Sequence, residues 1–549
     1  MKNFVICNGN DNRQYNFISA DIKIILSQDI LDIQSFLNTN FNTAEEYVIY
    51  VPAIINNDSA LSYSGVELAL WIYTFFILHQ NVKFHIIILG TETKGAFFEH
   101  CRYANIVLAP NVHFVQNSHK EIDFFLNNYD LTNYFSKDIL IQSLKSVNVE
   151  PPSAFKNAHT ITNEWCIYRW SKALSIERTK NEIEDSLYFT YIRTILSIDD
   201  ISRVSRNCTP ANKVLVVDDE IDKGWNVFFE SLLSGHVKCI GSDFKKAKSR
   251  DEIIQSIKMV VEEYDPDTII LDLRLHDSDH TNYNPKAKLT GIKVLEEVKR
   301  INKGIQVIGF TASNKVWNLT AWQELGIDGF IIKESPSKSV ETGYTEKSIN
   351  LLIGAIEKAA SKAYLKEIYK ANHEAMNKLR QLSNKKYKVL DKSVTEAIIS
   401  YLQLAQSSLF SDKPNLATAF MYYFLIIEAF SNQMIDSNGV QDKDKVYYFQ
   451  FRRDNQYLMQ FDKKTGKKLG ERLTSNKVEE HQHDRIPYAQ KLFNMIDYVG
   501  IHEVSPVELV RVRNAFNHPN LIDSKPIIVN YQNVKDVMNI VCKLINNYK

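Results

Sequence analysis

Over residues 1–120, short apolar runs alternate with stretches of helical period. Tyr47–Val51 (YVIYV) and Phe84–Leu89 (FHIIIL) are continuous apolar runs of strand length, Gly65–Leu78 between them carries a helical pattern, and Ile106–Leu108 opens a further strand. Strands that alternate with helices predict a parallel sheet. Residues 121–210 change character. Polar–apolar helices, including Lys120–Asn128 and Glu182–Leu196, around a loop at Pro151–Pro152 predict a helical connector. Strand–helix alternation returns over 213–340. Lys213–Val217 (KVLVV), Thr268–Leu271 (TIIL), Gln306–Phe310 (QVIGF) and Gly329–Ile332 (GFII) predict strands, and Asp251–Glu263, Gly291–Ile301 and Trp317–Leu325 predict helices. Within 341–385, a Lys-, Glu- and Ala-rich pattern from Glu346 to Leu382 predicts one long helix leading out of this unit. Residues 386–549 read as helices, interrupted at about 445–470 by alternating, Tyr/Phe-rich sequence that predicts a β-hairpin turning at Lys464–Gly466. The expected fold class is multidomain, α/β plus all-α.

Bulk properties narrow the function classes. The chain has 549 residues, 44% hydrophobic and 24% charged, enough to bury a sizeable core in about three or four domains. Lys+Arg and Asp+Glu are both 65, so no global basic excess points to a nucleic-acid coat protein. Six cysteines lie far apart, none at metal-ligand spacing, and are expected to be reduced thiols. The N-terminus lacks a signal-peptide pattern. The longest apolar run, Val66–Leu78, contains Glu67 and is too short to span a bilayer. A cytoplasmic protein without membrane contact is expected.

Candidate chemistry collects at the carboxyl ends of the strands in 213–340, where ligands bind in open parallel sheets. Asp218 and Asp219 follow KVLVV, Asp272 follows TIIL, Thr311 follows VIGF and Lys333 follows GFII. Phosphoryl transfer to a carboxylate needs a Mg2+ ion to shield the incoming charge, a carboxylate to attack in line, and cationic or donor groups to hold the phosphoryl oxygens. The strand ends offer these residue types in chain order. One Asp at a strand end is usually only a turn or cap; the set of five is what points to a site.

VLVVDDE (214–220), IILDLRL (269–275), GFTAS (309–313) and DGFIIKE (328–334) resemble the response-regulator receiver family, a flavodoxin-like (βα)5 fold. The resemblance implies that Asp272 takes the phosphoryl group from a sensor histidine kinase or phosphotransfer protein. It implies that Asp219 and Asp272 bind Mg2+ directly with the Arg274 main-chain carbonyl, and Asp218 through water. Thr311 and Lys333 would hold phosphoryl oxygens, and Phe330 would be the switch aromatic. Two departures stand out. The loop from Asp272 to Gly291 is longer than usual and carries Asp277, Asp279 and His280; it either tunes partner choice and phosphate lifetime or is a surface insertion. Lys333 is followed by Glu334 where the family usually has proline.

Residues 1–120 echo the same pattern: YVIYVPAI (47–54) parallels TIILDLRL, SGVELALWIY (64–73) parallels TGIKVLEEVK, and FHIIILGTE (84–92) parallels QVIGFTAS. A degenerate receiver-like domain is expected there, with Val51 and Pro52 at the acceptor position; an unrelated small α/β domain is the alternative. At the other end, Arg513-Asn514-Ala515-Phe516-Asn517-His518 resembles the R-x4-6-H signature of HEPN domains, helical and often dimeric ribonucleases. The resemblance covers roughly 390–540 and implies a HEPN-like helical bundle over 386–549, acting on RNA as a homodimer. A His can move the 2′-hydroxyl proton and an Arg can stabilise the phosphorane without a metal. Glu428, on an otherwise apolar helix, either orients Arg513 or faces solvent. The expectation is a two-component response regulator whose Asp272 controls a HEPN-type endoribonuclease, in the service of stress or phage defence. The alternative is a phosphorylation-gated binding or dimerisation module without catalysis.

Overall fold

The computed structural model describes residues 2–547 apart from 9–17, 19, 27–32, 43–44, 56–61, 80–82, 154, 156, 178–182, 184–185, 206–207, 209–211, 235, 281–288, 313–321, 384–390, 412, 442–446, 452–456, 459–487, 501–505 and 518–527. Strands β1 (Lys2–Asn8), β2 (Ile22–Leu26), β3 (Glu46–Pro52), β4 (Lys83–Gly90) and β5 (Val112–Gln116) form one sheet in the order β2-β1-β3-β4-β5. Every pairing is parallel. Helices α1 (Ile33–Asn40), α2 (Ser64–Leu78), α3 (Lys94–His100) and α4 (His119–Asn128) connect and cover the strands. β3 and β4 are buried on both faces, which is why they read as unbroken apolar runs. The strand expected to open at Ile106 is instead a 3-10 helix, Ala104–Leu108, with Ile106 buried and Leu108 60% exposed. Three apolar residues are too few to fix a period, and the pairing with β4 begins only at Val112.

The stretch expected to be a connector is divided between two cores. Leu140, Ile141 and Leu144 of α5 (Lys137–Leu144) and Leu187 and Tyr191 of α7 (Leu187–Ile195) pack with α2 in the N-terminal core. α6 (Ala158–Ala173) turns the other way: its Cys166, Ile167, Trp170 and Ala173 join Val216, Trp225, Phe310 and Ile353 in the core of a second sheet. Asn157 caps it, accepting from the Thr160 N–H at 3.0 Å.

That sheet contains β6 (Val214–Val217), β7 (Val237–Ile240), β8 (Thr268–Leu271), β9 (Gln306–Thr311) and β10 (Gly329–Ile332), all parallel, in the order β7-β6-β8-β9-β10. Around it lie α8 (Trp225–Leu232), α9 (Arg250–Tyr264), α10 (Thr290–Ile301) and α11 (Tyr344–Ser361). Both sheets thus have the order 2-1-3-4-5 of a flavodoxin-like, receiver-like fold. The helix expected over Trp317–Leu325 falls mostly outside the described residues. Trp322 is described, and its ring lies against Gly309, where a Cβ would come within 1.5 Å of it.

The long helix expected over 346–382 is two helices, α11 and α12 (Tyr364–Ser383), with a break at Lys362–Ala363. Ile349, Leu352, Ile353 and Ile356 face the second sheet, whereas Leu365, Ile368, Met376 and Leu379 enter a different core. The two buried stripes are out of phase by about one to two residues, so a single straight helix cannot present both. Lys366 pins the joint to the loop after α9, donating to Asp267 Oδ1 at 2.8 Å and to the Asp265 carbonyl at 2.8 Å.

The C-terminal core is helical: α13 (Lys392–Leu409), α14 (Leu416–Met434), α15 (Tyr488–Val499), α16 (Pro506–Asn517) and α17 (Tyr531–Asn547) pack with α12. The β interruption begins earlier than expected. β11 (Ile435–Gln441) continues directly from α14 and pairs antiparallel with β12 (Tyr447–Phe451), which pairs with β13 (Tyr457–Leu458). The expected turn at Lys464–Gly466 lies outside the described residues. Among the described residues, no helix is long and apolar enough to cross a membrane.

Candidate functional site

At the carboxyl edge of the second sheet the backbone is drawn tight. Asp218 and Asp219 follow β6, and the Asp218 N–H donates to the Ile240 carbonyl at 3.2 Å. Gly241, at φ +139°, lets the end of β7 pass there: a Cβ would sit 1.8 Å from the Asp218 carbonyl oxygen. Asp272 follows β8, and Gly291, in the first turn of α10, abuts its carbonyl. Lys333 follows β10, its N–H donating to the Thr311 carbonyl at 2.8 Å.

These ends bring Asp218, Asp219, Asp272 and Lys333 from distant parts of the chain to one buried pocket, and Thr311 is buried at the end of the adjoining β9. The exposures of Asp218, Asp272, Thr311 and Lys333 are 1% or less, and that of Asp219 is 8%. Carboxylate oxygens of Asp218, Asp219 and Asp272 lie within 4.8 Å of one another. Lys333 Nζ donates to Asp218 Oδ2 at 2.8 Å and to Asp272 Oδ2 at 3.3 Å. Asp218 Oδ1 accepts from the Glu220 N–H at 2.8 Å, and Asp272 Oδ1 from the Leu273 N–H at 2.6 Å. Burial works to lower the Lys333 pKa, but Asp218 and Asp272 outweigh it and hold the ammonium charged. Asp219 is pushed up to about 9, first by burial and then by the charges of Asp218, Asp272 and Glu220.

The donor set suits a hard divalent cation. It is all oxygen, it carries excess negative charge in a buried pocket, and Asp219 Oδ1 is buried with no hydrogen-bond partner. Arg274 stands two residues after Asp272, half-buried, and its charge helps to lower the His159 and His280 pKa values, though burial is the larger cause in both. Phe330, on edge strand β10, is half-buried and meets the Trp322 ring edge-on at 5.6 Å.

The long loop after Asp272 is organised by one of its acids. Asp279, 2% exposed, accepts from the N–H groups of Leu275 and His276 at 3.1 and 3.2 Å and pairs with Arg250 at 3.0 Å. It turns inward to staple the loop, whereas Asp277 is exposed. Glu334 is wholly buried and accepts from Trp170 Nε1 at 2.9 Å, Ser339 Oγ at 2.5 Å and Thr345 Oγ1 at 2.9 Å, with Arg169 Nε at 3.0 Å. Sequence reasoning noticed the departure at Glu334 but not its partners. Asn163 went unnoticed altogether: its Oδ1 accepts from Lys333 Nζ at 2.7 Å and from Trp225 Nε1 at 2.8 Å. An Asn in the middle of a helix carries no local signal for such a contact.

Among the described residues, the first sheet presents no such acidic cluster around β3. Gly65 stands to Pro52 as Gly291 stands to Asp272. Their N–H groups donate to the next carbonyls, of Ala53 and Leu273, each at 3.1 Å, and a Cβ on either would strike the carbonyl of Pro52 or Asp272. Pro52 therefore occupies the position that Asp272 holds in the other sheet, with no carboxylate to offer.

In the C-terminal core, Arg513 on α16 points its Nη2 at Glu428 Oε1 on α14, 3.4 Å away, and its Nη1 donates to Asn514 Oδ1 at 3.2 Å. Both Arg513 and Glu428 side chains are 23% exposed. His518 lies outside the described residues.

The fold class is thus a doubly wound, receiver-like α/β sheet with a buried acidic pocket, joined to a second sheet of the same order and a helical region. No family model and no curated protein matches the chain. Among solved structures it is similar to NtrX from Brucella abortus, at 18% identity and a TM-score of 0.20, over 36% of this chain and 41% of that one. It is also similar to a protein described as a two-component system response regulator/GGDEF domain protein, at 11% identity and a TM-score of 0.16, over 64% of this chain and 100% of that one. The fold assignment rests on the strand order.

Proposed function

We propose that this chain is a two-component response regulator that accepts a phosphoryl group on Asp272. The observation that carries this reading is the convergence of Asp218, Asp219, Asp272 and Lys333 in one buried pocket at the carboxyl edge of a 2-1-3-4-5 sheet, with Thr311 buried at the end of the adjoining strand. Asp218, Asp219 and Asp272 would hold Mg2+, with the Arg274 carbonyl, and the ion would offset the charge of the incoming phosphoryl group. A carboxylate oxygen of Asp272 forms the new O–P bond as the bond from phosphorus to the donor's leaving atom breaks. With a phosphohistidine donor from a sensor kinase or phosphotransfer protein, the imidazole leaves. Lys333, held charged, supplies a fixed cation for a phosphoryl oxygen, and the Thr311 hydroxyl a donor beside it. The test is incubation of the full chain with Mg2+ and acetyl phosphate, followed by intact-mass and peptide analysis. One phosphoryl group on Asp272, none on residues 1–120 and none in Asp272→Asn is the expected result. Labelling that persists in Asp272→Asn refutes the assignment.

For the output, we propose a HEPN-like effector that cleaves RNA without a metal, working as a homodimer; the contact of Arg513 with Glu428 and Asn514 is in keeping with the Arg role in that reading. Glu428 would orient the guanidinium, and His518 would move the proton. RNA loss that is unchanged in His518→Ala rejects catalysis and leaves a phosphorylation-gated binding module as the reading of this region.

A further inference from the structure

Ligands reach a doubly wound sheet through the crevice outside the carboxyl ends of its strands. Here the N-terminal part of helix α6, which precedes the second sheet in the chain, reaches that crevice, while the rest of the helix packs on the face of the sheet. Asn163 on α6 is wholly buried and reaches Lys333 Nζ at 2.7 Å. One turn earlier, the His159 ring lies 5.1 Å from that of His280, on the loop that follows Asp272. The helix therefore touches both sides of the pocket mouth. Below the mouth it is latched: Arg169 and Trp170 both bind Glu334, and Trp165 Nε1 donates to Ser339 Oγ at 2.8 Å.

The contact between Asn163 and Lys333 matters because an ammonium has three N–H groups. All three are engaged, by Asn163 Oδ1, Asp218 Oδ2 and Asp272 Oδ2. A phosphoryl oxygen can bind Lys333 only if one acceptor yields. Asp218 and Asp272 are carboxyl groups at the ends of the sheet's own strands; Asn163 is an amide, carried on a separate helix. Its Oδ1 would also sit as an acceptor against the acceptor oxygens of the phosphoryl group. Its Nδ2 is buried without a hydrogen-bond partner, so the closed arrangement is already imperfectly satisfied.

We propose that Asn163 is a positioning residue of the acceptor site that competes with the phosphoryl group for Lys333, so that α6 is a lid that closes over Asp272 and is released when Asp272 is phosphorylated. The proposal rests on the acceptor reading of Asp272. Because binding is linked reciprocally, whatever loosens α6 favours phosphorylation, and phosphorylation loosens α6 by the same factor. Glu334, standing where the resembled family has proline, is the latch that makes the lid part of this receiver.

Two reporters test it on the full chain. Cys166, wholly buried between α6 and the sheet, reports lid opening through thiol labelling resolved by peptide mass. Trp225, whose ring lies 5.3 Å from Lys333 Nζ, reports occupation of the pocket by Mg2+ with beryllofluoride, a phosphoryl mimic. With both added, Cys166 should label faster by about tenfold or more, the range expected for loss of one charge-assisted hydrogen bond. Asn163→Ala should bind beryllofluoride more tightly by a similar factor, which mere loosening of the fold would not produce. Glu334→Gln should raise the basal labelling of Cys166. Binding seen in Asn163→Ala but not in the wild type also supports the lid. Cys166 protection unchanged by bound beryllofluoride, or no tightening in Asn163→Ala, overturns it. If neither the wild type nor either variant gives a fluorescence change that Asp272→Asn abolishes, the acceptor reading itself falls, and the lid with it.

Discussion

Glu334→Ala is the substitution whose cost can be worked out most directly. The carboxylate is wholly buried and has four partners: Arg169, Trp170, Ser339 and Thr345. Alanine leaves the Arg169 guanidinium, whose side chain is 7% exposed, without its counter-ion. Breaking a buried ion pair from one side costs about 3–5 kcal/mol. The indole N–H of Trp170 also loses its acceptor, at about 1–3 kcal/mol, while the Ser339 and Thr345 hydroxyls can rotate to other partners. Members of one network do not add, so a total of about 4 kcal/mol is expected. Urea unfolding followed by tryptophan fluorescence reads this directly, because Trp165, Trp170 and Trp225 all lie in the affected unit. With a slope of about 3 kcal/mol per molar urea, the midpoint of that transition should fall by more than about 1 M. A midpoint within about 0.3 M of the wild type would mean that the carboxylate does not hold α6, and the reasoning fails.

Other outcomes follow from the same packing. Gly309→Ala would drive a Cβ into the Trp322 ring and should cost about 3 kcal/mol in thermal or urea unfolding, with Trp322→Ala partly rescuing it. Asp279→Ala removes the inward staple of the loop and the carboxylate paired with Arg250, costing about 3 kcal/mol by the same measurement. Glu428→Gln should change stability by less than about 1 kcal/mol, since the pair with Arg513 is long and partly exposed; its effect belongs in the RNA assay. In the first sheet, His113 is lowered to about 4 by burial and then by His85, whose ring nitrogen is 3.3 Å away. The unfolded chain binds the proton more readily, so stability is full above about pH 6.5 and falls as pH drops toward 4, by about 2 kcal/mol after allowing for partial exposure. Melting temperature against pH should show this slope in the wild type, and His113→Asn should make it shallower.

Local pattern was enough wherever a strand or helix is buried in the way its own sequence advertises. The apolar runs of β3, β4, β6, β8 and β9 are unbroken because both faces of a parallel sheet are covered, so they are readable without knowing their neighbours. Asp218, Asp272, Thr311 and Lys333 stood out because each ends such a run, and chain order alone suggests one edge. Less was legible where the deciding contact is remote. β1 and β7 had no assignment, and the strand before α4 was placed at Ile106 because three apolar residues cannot choose between strand and 3-10 helix. The break at Lys362–Ala363 arises from two cores pulling helical stripes out of phase, each stripe being unremarkable within its own segment. The destination of α6 is the sharpest case. Asn163, Arg169 and Trp170 read as ordinary residues of a connecting helix, and their partners lie more than 150 positions away at Lys333 and Glu334. A hydrogen bond between residues so far apart leaves no periodic trace, so only the folded chain shows that α6 reaches Lys333 and Glu334.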